Sequence, residues 1–270
     1  MSAGRFELSA MKYLSKAFQI ASAALSYLIF GVGAFLMGLF FQLLVYTRLV
    51  SHLSVQKAVR WCIHKGCFAF IELMRFLRLI RYSIDIESLR SASGGYIVVA
   101  NHPSLIDIVF MFAFKRDLNC IVKKGIWDNV FTRYVVRLAG FIPNNSQYVV
   151  ELAVEKLQLG ENIVIFPEGT RTVCDGRLSF KRGFANIAIR SDAKILPVFI
   201  ECEPRALQKN IPWYSIPEGG PVYQISSRQA LNLSECIDVS LPRMIRYRLL
   251  TQYLVDYYAE WQGSKLTIND

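Results

Sequence analysis

The segment 17–47 contains 31 consecutive residues without a Lys, Arg, Asp, Glu or His side chain. As a helix with a rise of about 1.5 Å per residue it would be about 46 Å long. That exceeds the roughly 30 Å hydrocarbon core of a bilayer. We expect either one tilted membrane span or a helical hairpin that bends near 31–33 and returns to the same leaflet. Basic residues flank both ends, which favours the hairpin because the positive-inside rule then selects no single orientation. A cleaved signal peptide is disfavoured by the length of the apolar part.

The composition of the whole chain supports an association with membranes. Of the 270 residues, 53% are hydrophobic, and the formal net charge is +10 at pH 7. The mean hydropathy of +0.30 is high for a soluble protein. An apolar and basic chain is expected to meet anionic membrane lipids. Nucleic acid is the other common partner of basic proteins. We expect none here, because the basic residues are interleaved with apolar runs and no finger, RNA-recognition or helix-turn-helix signature is present.

Residues 48–82 combine seven Lys and Arg side chains with many aromatic and aliphatic ones. This pattern is typical of helices that lie in the lipid headgroup region, with cations on phosphates and aromatic rings at the interface. A basic surface helix docked on the folded domain is the alternative, and the two can apply to different turns. The sequence therefore predicts membrane-anchoring helices in residues 1–82, apolar in 17–47 and basic and amphipathic in 48–82.

The remainder, residues 83–270, alternates between strand-like and helix-like patterns. The predicted strands are Ile97–Ala100, Asn119–Val122, Phe141–Pro143, Asn162–Phe166, Ile195–Glu201 and Val222–Ser226. The predicted helices are Leu105–Phe114, Trp127–Leu138, Gln147–Leu159, Ala185–Ser191 and Pro242–Trp261. Such alternation predicts an α/β fold with a largely parallel central sheet flanked by helices.

The six cysteines are scattered along the chain without a Cys-x-x-Cys pair, and the chain has only three histidines. This spacing predicts neither a disulfide framework nor a metal site. The thiols are Cys62, Cys67, Cys120, Cys174, Cys202 and Cys236. We expect them to be reduced and the active site to face the cytoplasm.

The stretch Asn101-His102-Pro103-Ser104-Leu105-Ile106-Asp107 joins a predicted strand to a predicted helix. Proline suits the first turn of a helix, where its missing N–H would be unpaired in any case. Across such a bend the Asp107 carboxylate can hold the His102 ring by its Nδ1–H, which is the base and orienting group of a catalytic triad. No Gly-x-Ser-x-Gly nucleophile accompanies the pair. On spacing alone a purely structural helix start is the favoured interpretation.

Other polar groups also follow directly on predicted strands. Lys123 follows one strand, and Glu168 and Arg171 of Pro-Glu-Gly-Thr-Arg follow another. If these strands are parallel to the one before His102, their carboxyl ends meet at one edge of the sheet, where ligands bind in open α/β folds. Lys181 adds a further cation on a later loop. A base, an acid and several cations suit a phosphorylated substrate with a reactive hydroxyl. Taken alone, Pro-Glu-Gly-Thr-Arg is equally compatible with an ordinary turn.

Four sequence blocks occur in order between about Tyr96 and Ile200. They are Asn-His-x4-Asp, Phe-Pro-Glu-Gly-Thr-Arg, Phe-Lys-Arg-Gly and Ile-Leu-Pro-Val. In combination they resemble the glycerolipid acyltransferase family, most closely the lysophosphatidic acid (1-acyl-glycerol-3-phosphate) acyltransferases. The resemblance implies a membrane-bound O-acyltransferase that makes phosphatidic acid. Its acyl donor would be acyl-CoA or acyl carrier protein, its acceptor a lysophospholipid, and no cofactor would be required.

The resemblance also implies roles for individual residues. His102 would be the general base that takes the proton of the acceptor hydroxyl, and Asp107 would orient it. An imidazole suits this step because its ordinary pKa lies near working pH. The resemblance assigns the binding of the acceptor to Glu168, Gly169, Thr170, Arg171, Lys123 and Lys181. No covalent acyl-enzyme is needed, in keeping with the absence of a nucleophile.

The chain departs from the family pattern at three places. Another family block usually runs from a glycine through apolar residues to an arginine, but here Gly140-Phe141-Ile142-Pro143 leads to Asn144-Asn145. Gly125 stands where an acidic residue usually follows the lysines, and Thr172 stands in place of serine. The missing arginine leaves a second hypothesis open, in which the same chemistry acts on another lysophospholipid or a lipid alcohol. A third hypothesis is a catalytically silent membrane-binding module, in which His102 and Asp107 are structural.

Overall fold

The computed structural model describes residues 3–172 and 178–266, with side chains described for 15–172 and 178–263. The helices are α1 (Ala3–Tyr46), α2 (His52–Phe76), α3 (Glu87–Ser91), α4 (Asp107–Phe114), α5 (Lys124–Asp128), α6 (Arg133–Leu138), α7 (Val149–Gln158), α8 (Gly183–Ser191), α9 (Leu233–Cys236) and α10 (Arg243–Leu266). The strands are β1 (Arg81–Asp85), β2 (Ile97–Ala100), β3 (Leu118–Val122), β4 (Ile142–Pro143), β5 (Asn162–Ile165), β6 (Ile195–Glu203) and β7 (Val222–Ser227).

The strands form a seven-stranded sheet in the order β1-β7-β6-β2-β5-β3-β4. Every neighbouring pair is parallel except β6 and β7, which are antiparallel. β1 and β7 therefore run against the other five strands. The predicted α/β fold with a largely parallel sheet is confirmed, and the antiparallel β6–β7 pair is the exception within it.

The central strands are buried on both faces, as expected where helices cover both sides of a parallel sheet. All four residues of β2 and all four of β5 are buried. Successive side chains of β2 point to opposite faces. Val98 and Ala100 join the hydrophobic core on the face that α2 and α4 cover, whereas Ile97 and Val99 join the core on the face that α8 and α10 cover.

Helix α1 runs without interruption through residues 31–33. The predicted hairpin bend at this position is therefore wrong, because isolated glycines are tolerated within a helix whose hydrogen bonds continue past them. The chain turns instead after Tyr46, and α2 begins after Ser51, whose side chain accepts a 3.2 Å hydrogen bond from the Ser54 N–H. The part Ser15–Tyr46 is long and apolar enough to cross a membrane, and only 6% of its most apolar window is buried.

One side of α1 packs along the α/β domain over much of its apolar length. The Tyr27 ring lies 6.0 Å from the Trp213 ring, and the Phe35 ring lies 5.7 Å from the Phe131 ring. Gly38 permits a close approach further along, since a Cβ atom there would lie 3.0 Å from a methyl group of Val135. The other sides of α1 expose many apolar side chains. They are Phe18, Leu25, Leu28, Ile29, Val32, Leu36, Leu39, Phe40 and Leu43.

Helix α2 docks on the α/β domain. This is the second of the two arrangements considered for residues 48–82. Its apolar stripe is buried at Val55, Val59, Phe70, Ile71 and Met74. Arg60 also lies in this interface, where its guanidinium donates to the Ala139 carbonyl at 2.8 Å and to Glu161 at 2.7 Å. Aromatic side chains remain exposed on the outer turns, at Trp61, Phe68 and Phe76.

Two further elements differ from the sequence-based prediction. The predicted helix 127–138 is two short helices, α5 and α6, separated by residues 129–132. Strand β1 was not predicted, because it lies at the sheet edge and alternates exposed polar with half-buried side chains rather than forming an apolar run. It begins at Arg81, so the boundary predicted between residues 82 and 83 falls inside it. Cys174 lies outside the described residues, and the other five cysteines are unpaired thiols.

Candidate active site

The site begins where β2 leaves the sheet, at Asn101. The Asn101 side chain donates to the Ile200 carbonyl at 2.7 Å and accepts from the Ile200 N–H at 2.8 Å. Its amide thus replaces the backbone groups that would continue the β2–β6 ladder beyond Ala100. The main chain is free to turn away from the sheet at the next residue, which is His102.

The hydrogen bond predicted from the His-x4-Asp spacing is present. His102 Nδ1 lies 2.8 Å from Asp107 Oδ2, and the same oxygen accepts the Ser104 N–H at 2.7 Å. Asp107 is the first residue of α4, so its side chain folds back toward the loop that precedes the helix. The Asp107 side chain is fully buried, whereas the His102 side chain is 19% exposed. A substrate can therefore reach the imidazole but not the carboxylate.

Burial makes the Asp107 carboxylate a costly group to ionise. Desolvation raises the pKa of Asp107 from 3.8 to about 6, while its hydrogen bond to His102 acts in the opposite direction. Oδ1 of Asp107 is buried and, among the described residues, has no hydrogen-bond partner. The carboxylate is therefore held entirely through Oδ2, by the ring of His102 and the backbone of Ser104.

The block that follows β5 holds His102 in place. The Phe166 ring stacks on the imidazole with centroids 4.3 Å apart and planes 26° from parallel. The backbone N–H of His102 donates to Glu168 Oε1 at 2.9 Å, and the backbone carbonyl of His102 accepts the Thr172 N–H at 2.8 Å. Thr172 Oγ1 donates to the same Glu168 oxygen at 3.0 Å. Two sequence blocks 66 residues apart thus form one hydrogen-bonded unit.

Glu168, predicted to bind the acceptor, is buried with its Oε1 engaged by the backbone of His102 and the hydroxyl of Thr172. Burial raises the pKa of Glu168, and the two hydrogen bonds counteract that rise. In this structure Glu168 therefore positions the histidine loop. Its contact with an acceptor stays a prediction.

Arg171, the predicted phosphate ligand, is half-buried. Its Nη1 donates to the carbonyls of Leu207 at 2.6 Å and Gln208 at 2.8 Å. The Leu207 carbonyl also accepts the Leu105 N–H of the histidine loop at 3.2 Å. Arg171 thus links the segment after β6 to the turn that carries His102, and its binding of phosphate stays a prediction.

Gly169 adopts a left-handed conformation, with φ of +67°. A Cβ atom there would lie 2.8 Å from Nζ of Lys181, so the Lys181 side chain passes directly over the glycine. The Lys181 N–H donates to the Pro167 carbonyl at 2.8 Å, which fixes the two loops together. Both Lys181 and Gly169 are exposed and Thr170 is half-buried. The cation of the third block therefore lies beside the block that follows β5.

The carboxyl ends of β2, β5 and β3 point to one edge of the sheet, because these strands are parallel. Lys123 follows β3 at this edge and is exposed. Asn144 follows the neighbouring β4, and its side-chain oxygen accepts the Lys124 N–H at 3.0 Å. The predicted residues thus lie at one edge. The hydrogen bonds described above join His102 to Asp107 and Glu168. Asn145 lies next to Asn144 in the chain and is exposed.

Sequence reasoning assigned no role to several residues that build the site. Asn101, Ser104, Phe166 and Thr172 all lie within or beside the recognised blocks. Asparagine after a strand and serine after proline are each common, so their types alone gave no signal. Their roles depend on partners from distant segments, and linear spacing does not show such partners.

A large apolar cavity lies between α1, α2 and the sheet face covered by α4. Its volume is about 530 Å³. Ile108, Val109 and Phe112 of α4 form part of its wall, starting at the residue after Asp107. Helix α1 contributes Ile29, Phe30, Gly33, Ala34 and Met37, and further wall residues come from α2, β3 and α6. An aliphatic chain matches the chemistry of this lining.

Residues 81–201 match the family model described as Acyltransferase. The chloroplastic 1-acyl-sn-glycerol-3-phosphate acyltransferase of Arabidopsis thaliana is 29% identical over 127 residues, which are 43% of this chain and 35% of that protein. The Helicobacter pylori enzyme of the same name is 32% identical over 126 residues, 43% of this chain and 53% of that protein. The 1-acyl-sn-glycerol-3-phosphate acyltransferase alpha of Mus musculus is 28% identical over 179 residues, which are 59% of this chain and 61% of that protein. The chain thus spans about half the length of these relatives.

Among solved structures, the 1-acyl-sn-glycerophosphate (LPA) acyltransferase PlsC of Thermotoga maritima is similar, with a TM-score of 0.66. The match covers 89% of this chain and 96% of that chain at 20% sequence identity. At this identity the likeness concerns the fold, and it extends over the helices and the sheet together. The resemblance predicted from the four sequence blocks is confirmed by these matches.

Proposed function

Because residues 81–201 match the Acyltransferase family model, we propose that this protein transfers a fatty acyl group from a thioester to the free hydroxyl of lysophosphatidic acid. The product would be phosphatidic acid. The observation that carries the proposal is the His102–Asp107 hydrogen bond of 2.8 Å at the carboxyl end of β2. It supplies a base with a fixed ring orientation at the start of α4, the helix that contributes Ile108, Val109 and Phe112 to the cavity wall.

His102 is the general base of the proposed reaction. Its Nδ1 faces Asp107, so Nε2 is the nitrogen directed at a substrate hydroxyl. As the hydroxyl oxygen attacks the thioester carbonyl carbon, Nε2 takes the hydroxyl proton and Asp107 stabilises the imidazolium. Collapse of the tetrahedral intermediate forms the ester, breaks the C–S bond, and returns the proton from His102 to the thiolate.

The cavity of about 530 Å³ is the proposed site of an acyl chain. Part of its wall is formed by Ile108, the residue after Asp107, and the proposal places the carbonyl end of the chain toward the imidazole. Acyl-CoA and acyl carrier protein both present such a chain as a thioester. Transfer of apolar surface from water into the cavity contributes about 0.8 kcal/mol per methylene group.

The cations at the same sheet edge are the proposed ligands of the acceptor phosphate. Arg171 offers a planar guanidinium that suits a phosphate, and Lys123 and Lys181 offer exposed point charges. Gly169 has no side chain, which lets the Lys181 side chain lie over the backbone of this loop. Glu168 supports this group indirectly by fixing the His102 backbone.

The proposed place of action is the surface of a membrane that contains anionic lipids, with the active site facing the cytoplasm. The domain packs along α1 at Tyr27 and Phe35. Apolar side chains on the other sides of α1 are exposed. A lipid-soluble acceptor can therefore reach the site without leaving the membrane surface.

A second candidate keeps the chemistry and changes the acceptor to another lysophospholipid or a lipid alcohol. The observation that favours it is the pair Asn144 and Asn145, which provides no cation where the family usually has arginine. Asn144 is already engaged with the Lys124 backbone. Fewer cations at this edge would weaken selection for a phosphate monoester.

The test is acyl transfer by the purified protein in detergent. Labelled acyl-CoA and acyl-loaded acyl carrier protein would serve as donors. Lysophosphatidic acid, other lysophospholipids and monoacylglycerol would serve as acceptors, with His102→Ala as the inactive control. We expect transfer to lysophosphatidic acid, absent in the variant.

Transfer to monoacylglycerol or another lysophospholipid but not to lysophosphatidic acid would favour the second candidate. Transfer that persists in His102→Ala would contradict the mechanism. A folded wild-type protein that acylates no acceptor from either donor would contradict both candidates and favour the silent membrane-binding module.

A further inference from the structure

Tyr223 is a fully buried tyrosine on β7, at the antiparallel end of the sheet. It stands opposite Cys202 in the β6–β7 register. Its ring packs against Phe110 of α4, with centroids 4.9 Å apart. A buried tyrosine hydroxyl is costly unless it finds a hydrogen-bond partner. The Tyr223 hydroxyl also interacts with the Cys202 thiol, and its other partner lies in the histidine loop.

The Tyr223 hydroxyl lies 2.8 Å from Oγ of Ser104, which is itself fully buried. This bond joins residues 119 positions apart. It connects β7 to the turn between His102 and α4. No described side chain other than Tyr223 bonds to the Ser104 hydroxyl, which is otherwise 3.4 Å from the Ile106 N–H within its own turn.

The backbone of Ser104 is one of the two donors that hold Asp107. Its N–H donates to Oδ2 at 2.7 Å, and His102 donates to the same oxygen. Since Oδ1 has no partner among the described residues, a shift of Ser104 would let the carboxylate rotate. The orientation of the His102 ring would change with it.

We propose that Tyr223 is a positioning residue for the base, acting through Ser104 and Asp107 on His102. The Tyr223 hydroxyl fixes the Ser104 side chain, the Ser104 N–H fixes the Asp107 carboxylate, and the carboxylate fixes the imidazole. Tyr223 touches neither His102 nor a reacting atom in this arrangement. The inference rests on the proposed function for its kinetic consequence, but the chain of contacts can be tested without turnover.

The first test is Tyr223→Phe, which keeps the ring that packs on Phe110 and removes only the hydroxyl. Loss of one buried hydrogen bond that acts on the base is expected to lower kcat by about threefold to tenfold. KM for donor and acceptor should stay unchanged, because Tyr223 lines neither proposed binding region. Ser104→Ala removes the other side of the bond and should have a similar effect. The double variant should lose no more than either single variant.

The second test observes the imidazole directly. The chain has three histidines, His52, His64 and His102. A proton–nitrogen spectrum of histidine-labelled protein in detergent is therefore simple, and His102→Ala identifies the His102 Nδ1–H resonance. We expect that resonance to move in Tyr223→Phe and in Ser104→Ala, since the strength and angle of its bond to Asp107 change.

Tyr258→Phe is the matched control. Tyr258 is also fully buried, and its hydroxyl donates to the Val99 carbonyl at 2.8 Å, but its ring belongs to the core on the opposite sheet face. Its loss should lower stability without moving the His102 resonance or kcat. If Tyr258→Phe produces the same changes as Tyr223→Phe, general loosening explains them and the positioning role is wrong.

Two further outcomes separate the hypotheses. A folded Tyr223→Phe with wild-type kcat and an unmoved His102 resonance would overturn the positioning role. If Tyr223→Phe does not fold, Ser104→Ala alone carries the same test. A wild-type protein without transfer activity would overturn the proposed function only, because the resonance reports the contact without any reaction.

Discussion

The two halves of the candidate site are built in opposite ways. The proton-transfer half, made of His102, Ser104 and Asp107, lies in a turn whose polar groups are bonded to one another and to the sheet. The cationic half comprises Lys123, which follows β3, and Arg171 and Lys181, which lie between β5 and α8; both of its lysines are exposed. One half is preorganised by burial, whereas the other half combines two exposed lysines with an arginine that the carbonyls of Leu207 and Gln208 hold.

This difference follows from what each half has to do. A base works when its ring orientation is fixed before the substrate arrives, and burial makes each bond that fixes it stronger. A phosphate can be met by flexible cations that adapt to it, at the cost of ordering them. Under the proposed function, the proton-transfer half would determine whether the reaction occurs, and the cationic half would determine which acceptor enters.

The largest expected effect in this comparison is that of His102→Ala. Loss of the general base should lower kcat by about 10²-fold to 10⁴-fold, with folding and vesicle binding unchanged. His64→Ala is a matched control, since the Nδ1 atom of His64 also has a hydrogen-bond partner, the backbone carbonyl of Phe112 at 2.9 Å, but His64 lies outside the candidate site. Steady-state transfer rates check the prediction. Equal rates in His102→Ala and wild type would remove the proton-transfer half from the mechanism.

Asp107→Asn is expected to show the stability cost of the preorganised half. A carboxyl whose pKa is about 6 when folded and 3.8 when unfolded binds more protons in the folded state between these values. Its stabilising contribution is present below pH 3.8 and is lost as the pH rises through about 6. Relative to Asp107→Asn, the wild type should lose about 3 kcal/mol of unfolding free energy across this range.

Denaturant unfolding of both proteins in detergent between pH 4 and pH 7 measures that loss. If the difference in unfolding free energy between wild type and Asp107→Asn does not change with pH, burial does not oppose ionisation of the Asp107 carboxyl. The contrast between the two halves would then lose its energetic basis.

Arg171→Lys addresses the cationic half. It keeps the charge but loses the planar fork, so KM for lysophosphatidic acid should rise by about tenfold. KM for monoacylglycerol, which has no phosphate, should be unchanged. Arg182→Lys, at an exposed position in the neighbouring block, controls for the substitution itself. Equal changes for both acceptors would indicate that Arg171 acts only by tying down the segment at Leu207.

The smallest expected effect is that of Asn145→Arg, which restores the cation usual in the family. One added exposed charge should raise kcat/KM for lysophosphatidic acid by about twofold to fivefold. Gln158→Arg adds the same charge at the exposed end of α7, where the chain leads into the start of β5 at the opposite sheet edge. No gain over that control would mean that the native acceptor carries no phosphate at this position.

The His102–Asp107 pair was predictable from the sequence because its two members are local, whereas the part played by Ser104 was not. His102 and Asp107 are separated by one turn, and a strand and a helix flank them. The sheet was predictable for a similar reason, since β2 and β5 are continuous apolar runs. Strand β1 escaped prediction because an edge strand needs no such run.

The remaining contacts could not be predicted, because they join distant segments. Arg171 was expected to bind a ligand, but it donates to the carbonyls of residues 36 and 37 positions further on. Tyr223 carried no signal as a single tyrosine in a strand. The hairpin alternative with a bend at 31–33 was wrong because glycine permits a helix break without requiring one, and α1 is continuous there.

Helix α1 also forms one wall of the apolar cavity, through residues such as Phe30 and Met37. An anchor that merely tethers can be exchanged for any other hydrophobic helix. An anchor that encloses the binding space cannot be exchanged, because its side chains determine the volume and shape that an acyl chain meets. Selection for acyl-chain length can therefore act on a segment that would otherwise be selected only for hydrophobicity. Under the proposed function, membrane attachment and substrate choice are inherited together in this helix.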